Sequence, residues 1–448
     1  MRLLTIRSQG QPVPESVPER DTPPLITPRQ PDKGLRRALT SLRHRNFRLF
    51  WFGQMISLTG SWMQIIGQTW LVLELTHSAF QLGLVGALQS LPVLLFSLVG
   101  GVFADRWPKR RVLLWTRAAA MAQALLLWAL IATSTVQLWQ VYVLALLLGL
   151  TDCLGKPAGQ AFVVELVGRE DLPNAVALNS SLLNLTRIVG PGLGGIIIAA
   201  SGVAMLFLLN ALSFIAAIGG LALIKSHELH AQALPHPNAG ERQTTWQRLR
   251  EGVDYVRRTP AVSLVILVVG LVLLFGSNFN VVLPLVATDV LHVGAPGFGF
   301  LSAASGVGSL IAALWLAWGN QQPTIRRVLI GTLVFAVLEA VFAVSRIYLL
   351  SLALIASVGG AEIAFATLAL TMLQTVAPDH LRGRVMSVAI LFFDGSVPLG
   401  YLLMGWLAGR YGASSALLIG ALLSLLVVGA GWLWRKPAEK NLAASARL

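Results

Sequence analysis

The sequence predicts an all-α polytopic membrane protein: twelve transmembrane helices arranged as two parallel-repeat six-helix bundles. Three observations predict it. The first is composition, because 55% of the 448 residues are hydrophobic and only 12% charged, about half the roughly 25% charged share of soluble domains. The second is that apolar runs of about 20 residues, each long enough to cross roughly 30 Å of hydrocarbon as a helix, recur from end to end. The third is repetition: VELVGREDLPNAVAL and LQTVAPDHLRGRVMS align at an offset of about 209 residues, pairing Val167 with Val376, Leu172 with Leu381 and Val176 with Val385, as parallel repeats do.

The chain opens with a polar, Pro-rich segment, 1–46, containing QPVPESVPERDTPPLITPRQPDKG. It has no apolar core, which excludes a cleavable leader and predicts a disordered cytoplasmic tail. The first bundle, 47–224, follows. Phe47–Leu75 ends at an uncharged loop near His77, Ala79–Phe103 at the cluster Arg106, Lys109, Arg110 and Arg111, and Val112–Ala132 near Ser134. Trp139–Val167 ends at Arg169, Val176–Ala200 at Ser201, and Ala204–Ile224 at the polar linker 225–260, whose QRLREGVDYVRR predicts a short amphipathic helix. In the second bundle, 261–434, Val262–Thr288 ends near His292 and Pro296–Trp318 before Arg326 and Arg327. Arg327–Val344, Leu349–Val376, Val385–Gly409 and Ser414–Trp434 complete the set, with Arg382 and Arg384 between the tenth and eleventh spans and a C-terminal cytoplasmic tail at 435–448. RRVLL at 110–114 and RRVLI at 326–330 echo one another at the starts of equivalent spans.

Cationic and uncharged loops alternate, with Arg346 and Arg410 the exceptions. By the positive-inside rule both termini and the linker face the cytoplasm of a cell inner (plasma) membrane. The net charge of +14 is therefore a topology signal and not a nucleic-acid footprint. Cys153, the one cysteine, lies in an apolar run, so neither a disulfide framework nor a cysteine metal site is expected. GLTDCLGKP lacks Walker spacing, and HExxH and GxSxG motifs do not occur. These observations predict no enzyme, nucleotide, metal or cofactor. The expected partners are the lipid bilayer, a small molecule and protons, with the protein acting as a monomer.

Five segments carry a family resemblance: RNFRLFWFGQMISLTGSWMQ, GGVFADRWPKRRVLL, QAFVVELVGREDLPNAVALNSSLLNLTRIVGPGLGG, FGSNFNVVLPL and LRGRVMSVAILFFDGSVPLG. The chain resembles the major facilitator superfamily, and within it the branch of bacterial efflux proteins that includes enterobactin exporters. The second segment is similar to the superfamily's motif between helices 2 and 3, matched by Gly101, Asp105, Arg106, Lys109, Arg110 and Arg111. Pro108 stands where that motif has glycine, and the second half keeps Arg326 and Arg327 but has Gln321 or Gln322 near the aspartate's place. The resemblance implies a cytoplasmic gate: Gly101 permits close approach, and Asp105 faces the positive end of the eleventh span near Arg382, Gly383 and Arg384. A carboxylate there contributes about 0.3 to 1 kcal/mol, or about 2 when partly buried. The competing reading is topology alone. GPGLGG, with Gly190, Pro191, Gly194 and Gly195, resembles a helix 5 motif of antiporters, with Thr186 in place of its upstream glycine. The implied function is proton-coupled efflux of a small amphipathic compound (drug, siderophore or lipid-like metabolite) by alternating access. The rivals are an importer or facilitator of the same fold and, remotely, a non-transporting sensor.

Charges inside spans are informative because each costs at least about 2.5 to 3.5 kcal/mol at the bilayer centre. Asp152 and Lys156 lie one turn apart and can pair. Arg187 falls in the fifth span, Glu362 in the tenth and Asp394 in the eleventh. Glu362 or Asp394 is the candidate proton-exchanging carboxylate, with Asp152, Lys156 and Arg187 shaping a charged cavity; structural ion pairs are the alternative. Glu339 is expected to snorkel from the outer end of the ninth span. Gln54, Gln64, Gln68, Asn278 and Asn280 are candidate cavity-facing groups, with interhelical hydrogen bonding the competing reading. Trp62 and Trp70 read as packing or interfacial residues.

Overall fold

A computed structural model of the chain describes residues 40–230, 245–319 and 322–445. Its helices follow the predicted order: α1 Arg45–Thr76, α2 Ala79–Arg106, α3 Lys109–Ala132 and α4 Leu138–Val167. The 51-residue stretch Leu172–Ala222 is two spans, since Gly202 at φ 79° breaks it into α5 (172–201) and α6 (203–222). A linker helix, Thr245–Arg258, leads to α7, Pro260–Val290. Then come α8 Gly294–Trp318, α9 Ile325–Val344, α10 Tyr348–Val376, α11 Asp379–Tyr411 and α12 Ala413–Ser445. Among the described residues ten stretches are long and apolar enough to cross a membrane, Leu172–Ala222 counting once. α1 completes the twelve, its apolar run diluted by the amides Gln54, Gln64 and Gln68.

Five of the six tight connections at the face opposite the termini turn on left-handed residues, His77, Ser134, Gly202, His292 and Gly412, while Ser345–Ile347 between α9 and α10 has none. Near the termini, two equivalent connections use proline instead. Trp107–Pro108 joins α2 to α3 and Ala377–Pro378 joins α10 to α11, each residue extended at negative φ. The carbonyls of Pro108 and Pro378 accept the first amides of the following helices, from Arg111 at 2.8 Å and Leu381 at 2.9 Å. Proline fits because no positive φ is needed here and the N–H it lacks would have no helical partner. That accounts for Pro108.

Three sequence expectations need correction. Residues 1–39 lie outside the described residues, but 40–46 are ordered rather than tail. Thr40–Arg43 form a 3₁₀ turn whose buried Ser41 N–H donates to Asn174 Oδ1 at 2.9 Å, while Arg43 and His44 meet Asp171 at 2.8 and 2.6 Å. At the other end α12 runs past Trp434 to Ser445, joined by Arg435 to Glu439 at 3.5 Å. The seventh span is not one continuous helix. It breaks at Ser277–Asn278, resumes at Phe279 and ends in a π turn, Val286–Val290.

α1 packs along Leu172–Ala222 and α2 against α4; in the second half α8 packs on α10, and α9 lies between α10 and α12. The halves meet along α5–α8 and α2–α11. Glycines permit that approach. A Cβ on Gly195 would stand 2.6 Å from the Ala295 carbonyl, and one on Gly405 2.9 Å from the Ala79 carbonyl. Trp70 stacks on Phe298 of the other half at 6.4 Å. These contacts all lie toward the ends of the helices away from the termini, whereas a Cβ on Gly383, at the terminal end of α11, would meet nothing within 4 Å.

Candidate functional site

Six spans carry an interior proline: Pro92 in α2, Pro157 in α4, Pro191 in the α5 stretch, Pro284 in α7, Pro398 in α11 and Pro437 in α12. Each removes one helical hydrogen bond and weakens the helix locally. Pro157 follows Lys156 directly. The Asp152–Lys156 turn borders two adjoining cavities. One, of about 300 Å³, lies between the halves and is lined by Gln68, Gln89, Asn280, Asp394 and Tyr401. The other, of about 260 Å³, lies within the first half beside Trp62, Gln64, Arg117 and Asn210. Asp152 and Lys156 border both.

The lining is electrostatically balanced. Lys156 Nζ is 3.1 Å from Asp152 Oδ2, at the helical i,i+4 spacing. Arg117 on α3 is within electrostatic reach of Asp152, and Asp394 on α11 feels Lys156 across the interface. One ammonium therefore shares a cavity with carboxylates from the two halves. Beside it Asn280 Nδ2 donates to the Tyr401 hydroxyl at 2.8 Å, and Gln68 Nε2 to Gln89 Oε1 at 3.4 Å. Gln64 is committed to the first half: it donates to Gln123 Oε1 at 2.9 Å and accepts from Asn210 Nδ2. With Gln64 2% exposed, interhelical bonding explains it.

The other candidate residues stand apart from the cavities. Arg187 places its guanidinium 5.9 Å from the centre of the Trp62 ring, a cation–π contact. Glu362 accepts from Ser277 Oγ at 2.5 Å. Asn278 is buried, donating to the Leu274 carbonyl at 2.8 Å, and Gln54 does not border either cavity. The snorkelling expected of Glu339 does not occur. Lying against Gly276 of α7, its side chain is 0% exposed, and neither carboxylate oxygen has a hydrogen-bond partner among the described residues.

GPGLGG serves two interfaces. Gly190 and Gly194 back onto α1, where a Cβ on Gly194 would lie 3.4 Å from Met63 Cα, while Gly195 faces α8. Pro191 extends the second contact: its carbonyl would be 2.5 Å from a Cβ on Gly299. Thr186 is buried and its hydroxyl donates to the Leu182 carbonyl at 3.0 Å.

At the gate, the side chains of Gly101, Asp105 and Arg106 lie outside the described residues, as does Gln321. The neighbouring cations have defined partners. Arg110 donates to the Leu221 and Ala222 carbonyls at 2.9 and 2.8 Å and to Ser226 Oγ at 2.7 Å, capping α6 within its own half. Arg382 pairs with Asp379 at 2.6 Å, and Arg384 pairs with Glu251 of the linker helix. Outside the spans, burial raises the pKa of Asp171, but hydrogen bonds from His44 and Arg43 and their charges outweigh it, so the net shift is downward.

Sequence reading missed Arg117, Gln89, Asn210 and Tyr401. Arg117 follows the basic run 109–111 closely enough to read as its continuation. Asn210, alone in MLFLLNALSF, carried a signal that was legible. Gln89 and Tyr401 carried none, because their cavity positions depend on how helices from different parts of the chain meet.

Residues 36–448 match the model of the family described as transmembrane secretion effector. The staphyloferrin A transporter of Staphylococcus aureus is 25% identical over 373 residues, covering 82% of this chain and 90% of its own. The enterobactin exporter EntS of Escherichia coli O1:K1 is 28% identical over 397 residues, covering 86% and 92%. Among solved structures, a point mutant of the nucleoside transporter NupG superposes with a TM-score of 0.69 at 13% identity, covering 89% of this chain and 99% of that one. A POT family transporter in complex with 5-aminolevulinic acid gives 0.67 at 12% identity, covering 88% and 96%. The chain belongs to the transmembrane secretion effector family of the major facilitator superfamily, and is a multi-pass secondary transporter of small molecules rather than an enzyme.

Proposed function

We propose that the protein exports a small amphipathic compound across the cell inner membrane in exchange for protons, as a monomer with both termini cytoplasmic. The observation that carries this reading is the cavity between the halves, where Lys156 pairs with Asp152 of its own helix and shares the lining with Asp394 of the other half. A substrate with a charged or polar head can compete for those groups while its apolar part lies against Ile65, Val72 and Val281. Efflux is supported by the kinship with an enterobactin exporter and by the GPGLGG contact between α5 and α8. Asp394 and Glu362 are the candidate coupling carboxylates. With the termini cytoplasmic, the contacts that hold the halves together lie on the outer side and the cavity faces the cytoplasm. Asp105, with Gly101, Arg106, Arg382, Gly383 and Arg384, is then the latch of the opposite state.

The test is uptake into everted vesicles under an imposed pH gradient, with enterobactin and ethidium as probes against protein-free vesicles. Proton-driven accumulation inside everted vesicles is the expected outcome. Movement in the opposite sense would identify an importer, and equilibration without accumulation a facilitator.

A further inference from the structure

Glu339 lies behind the cavity, in the interior of the second half. Its neighbours are the Phe335 ring and Gly276, where a Cβ would stand 2.7 Å from Glu339 Oε2. The elements packed on α9 bring no counter-ion to it. α12 has no titratable residue from Ala413 to Trp434, α7 has only Asp289 near its far end, and α10 has Tyr348 at its far end and Glu362. Arg346, just beyond α9, bonds Ser414 at 2.8 Å, and Arg326 and Arg327 stand at the opposite end of the helix. Among the described residues, the one ionisable group within electrostatic reach is Glu362, another carboxylate. Two adjacent anions cannot both be accommodated in an apolar bundle without a cation. Glu339 therefore holds its proton in this conformation.

Glu362 ties this buried acid to the break in α7, accepting from the hydroxyl of Ser277, the residue at which the helix stops. Three residues on, Asn280 reaches the cavity and donates to Tyr401. We propose that Glu339 and Glu362 form a proton-binding pair outside the substrate cavity, whose shared proton, by the carboxylate it sits on, sets the bend of α7 and so the Asn280–Tyr401 wall of the cavity. With Glu339 protonated, the pair carries one negative charge, solvated by Ser277. When the proton passes from Glu339 to Glu362, the pair still carries one negative charge, but that charge now lies beside Gly276 and Ser277 no longer faces an anion. Proton and substrate then occupy different sites. The physiological use of the pair rests on the proton coupling proposed above, but the pair itself does not.

Infrared spectroscopy of the full-length protein in phosphatidylethanolamine–phosphatidylglycerol bilayers tests it without a substrate. A protonated carboxyl band is expected to persist at neutral pH, where free carboxylates with pKa about 4.3 are ionised. Glu339→Gln should remove that band, and Glu362→Gln should move its titration to lower pH by removing a like charge. The exposed-site control Glu74→Gln should leave it intact. Amide hydrogen exchange at residues 276–282 should depend on pH in the wild type and lose that dependence in E339Q. Absence of the band from the wild type, its survival in E339Q, or an unchanged exchange profile would overturn the proposal. Should E339Q fail to fold, the wild-type band and its response to E362Q decide the question. If the band belongs to Glu339 but an imposed pH gradient does not drive transport, the coupling falls and the site stands. If a pH gradient drives transport and the band is absent, the coupling stands and the site falls.

Discussion

In the middle of its spans the first half places Arg117, Lys156 and Arg187 with a single acid, Asp152, whereas the second places Glu339, Glu362 and Asp394 there and has cations only toward the ends of its helices. The repeats share a backbone plan but have divided the charges. Glu362 falls one residue from the position equivalent to Asp152 at the offset of about 209. One residue turns a helix by about 100°. That small difference carries Glu362 off the cavity, onto Ser277, while Asp152 stays on it. Of the three, Asp394 alone lines the cavity that Lys156 also borders.

The largest expected effect comes from erasing this asymmetry. Lys156→Glu gathers three carboxylates in one cavity, and transport by reconstituted protein should fall at least about tenfold, equivalent to roughly 1.4 kcal/mol or more. The double exchange Lys156→Asp with Asp394→Lys should recover part of that rate if attraction across the interface is what matters. No recovery would tie Lys156 to substrate instead. Next, Gly299→Leu overpacks the α5–α8 contact, at a cost of about 1 to 3 kcal/mol. Spin-label distances between the halves should lengthen at the face away from the termini; an unchanged distribution would mean that this contact does not hold that face shut.

Asn210→Leu tests the rigidity of the first half. Leaving Gln64 unpaired on one side costs about 1 to 3 kcal/mol, which a lowered unfolding temperature with retained transport would show. The smallest effect belongs to Asp171→Asn, about 1 kcal/mol or less for a partly exposed pair. Because the folded carboxyl titrates below its unfolded value of about 3.9, its contribution is present above that value and is lost as pH falls through the lower folded one. Hydrogen exchange at residues 41–47 should accordingly be faster in the variant at neutral pH, and in the wild type should rise only in acid.

Much of the architecture was legible because lipid imposes one rule on every span. Helix order, the paired repeats and the Asp152–Lys156 turn depend on local spacing, and all are present in the structure. The break in α7 was not legible: Gly276 and Ser277 read as ordinary members of an apolar run and Asn278 as a candidate cavity group, while the carboxylate that Ser277 bonds, Glu362, comes from another helix. Glu339 was misread for a related reason. Position along α9 suggested an escape to the surface, but Gly276 of α7, distant in sequence, lies against its carboxylate. Gln64 shows the same dependence, since its amide partners lie on α3 and α6.

The connections Trp107–Pro108 and Ala377–Pro378 have a mechanical consequence. A two-residue joint with one φ fixed by a ring transmits torque instead of absorbing it, so α2 with α3, and α10 with α11, rotate as stiff levers. Strain from a rocking motion must then be released within helices, at the points where their hydrogen bonding is already interrupted. The stiffness of two short joints thereby concentrates the compliance of the second half in the middle of α7.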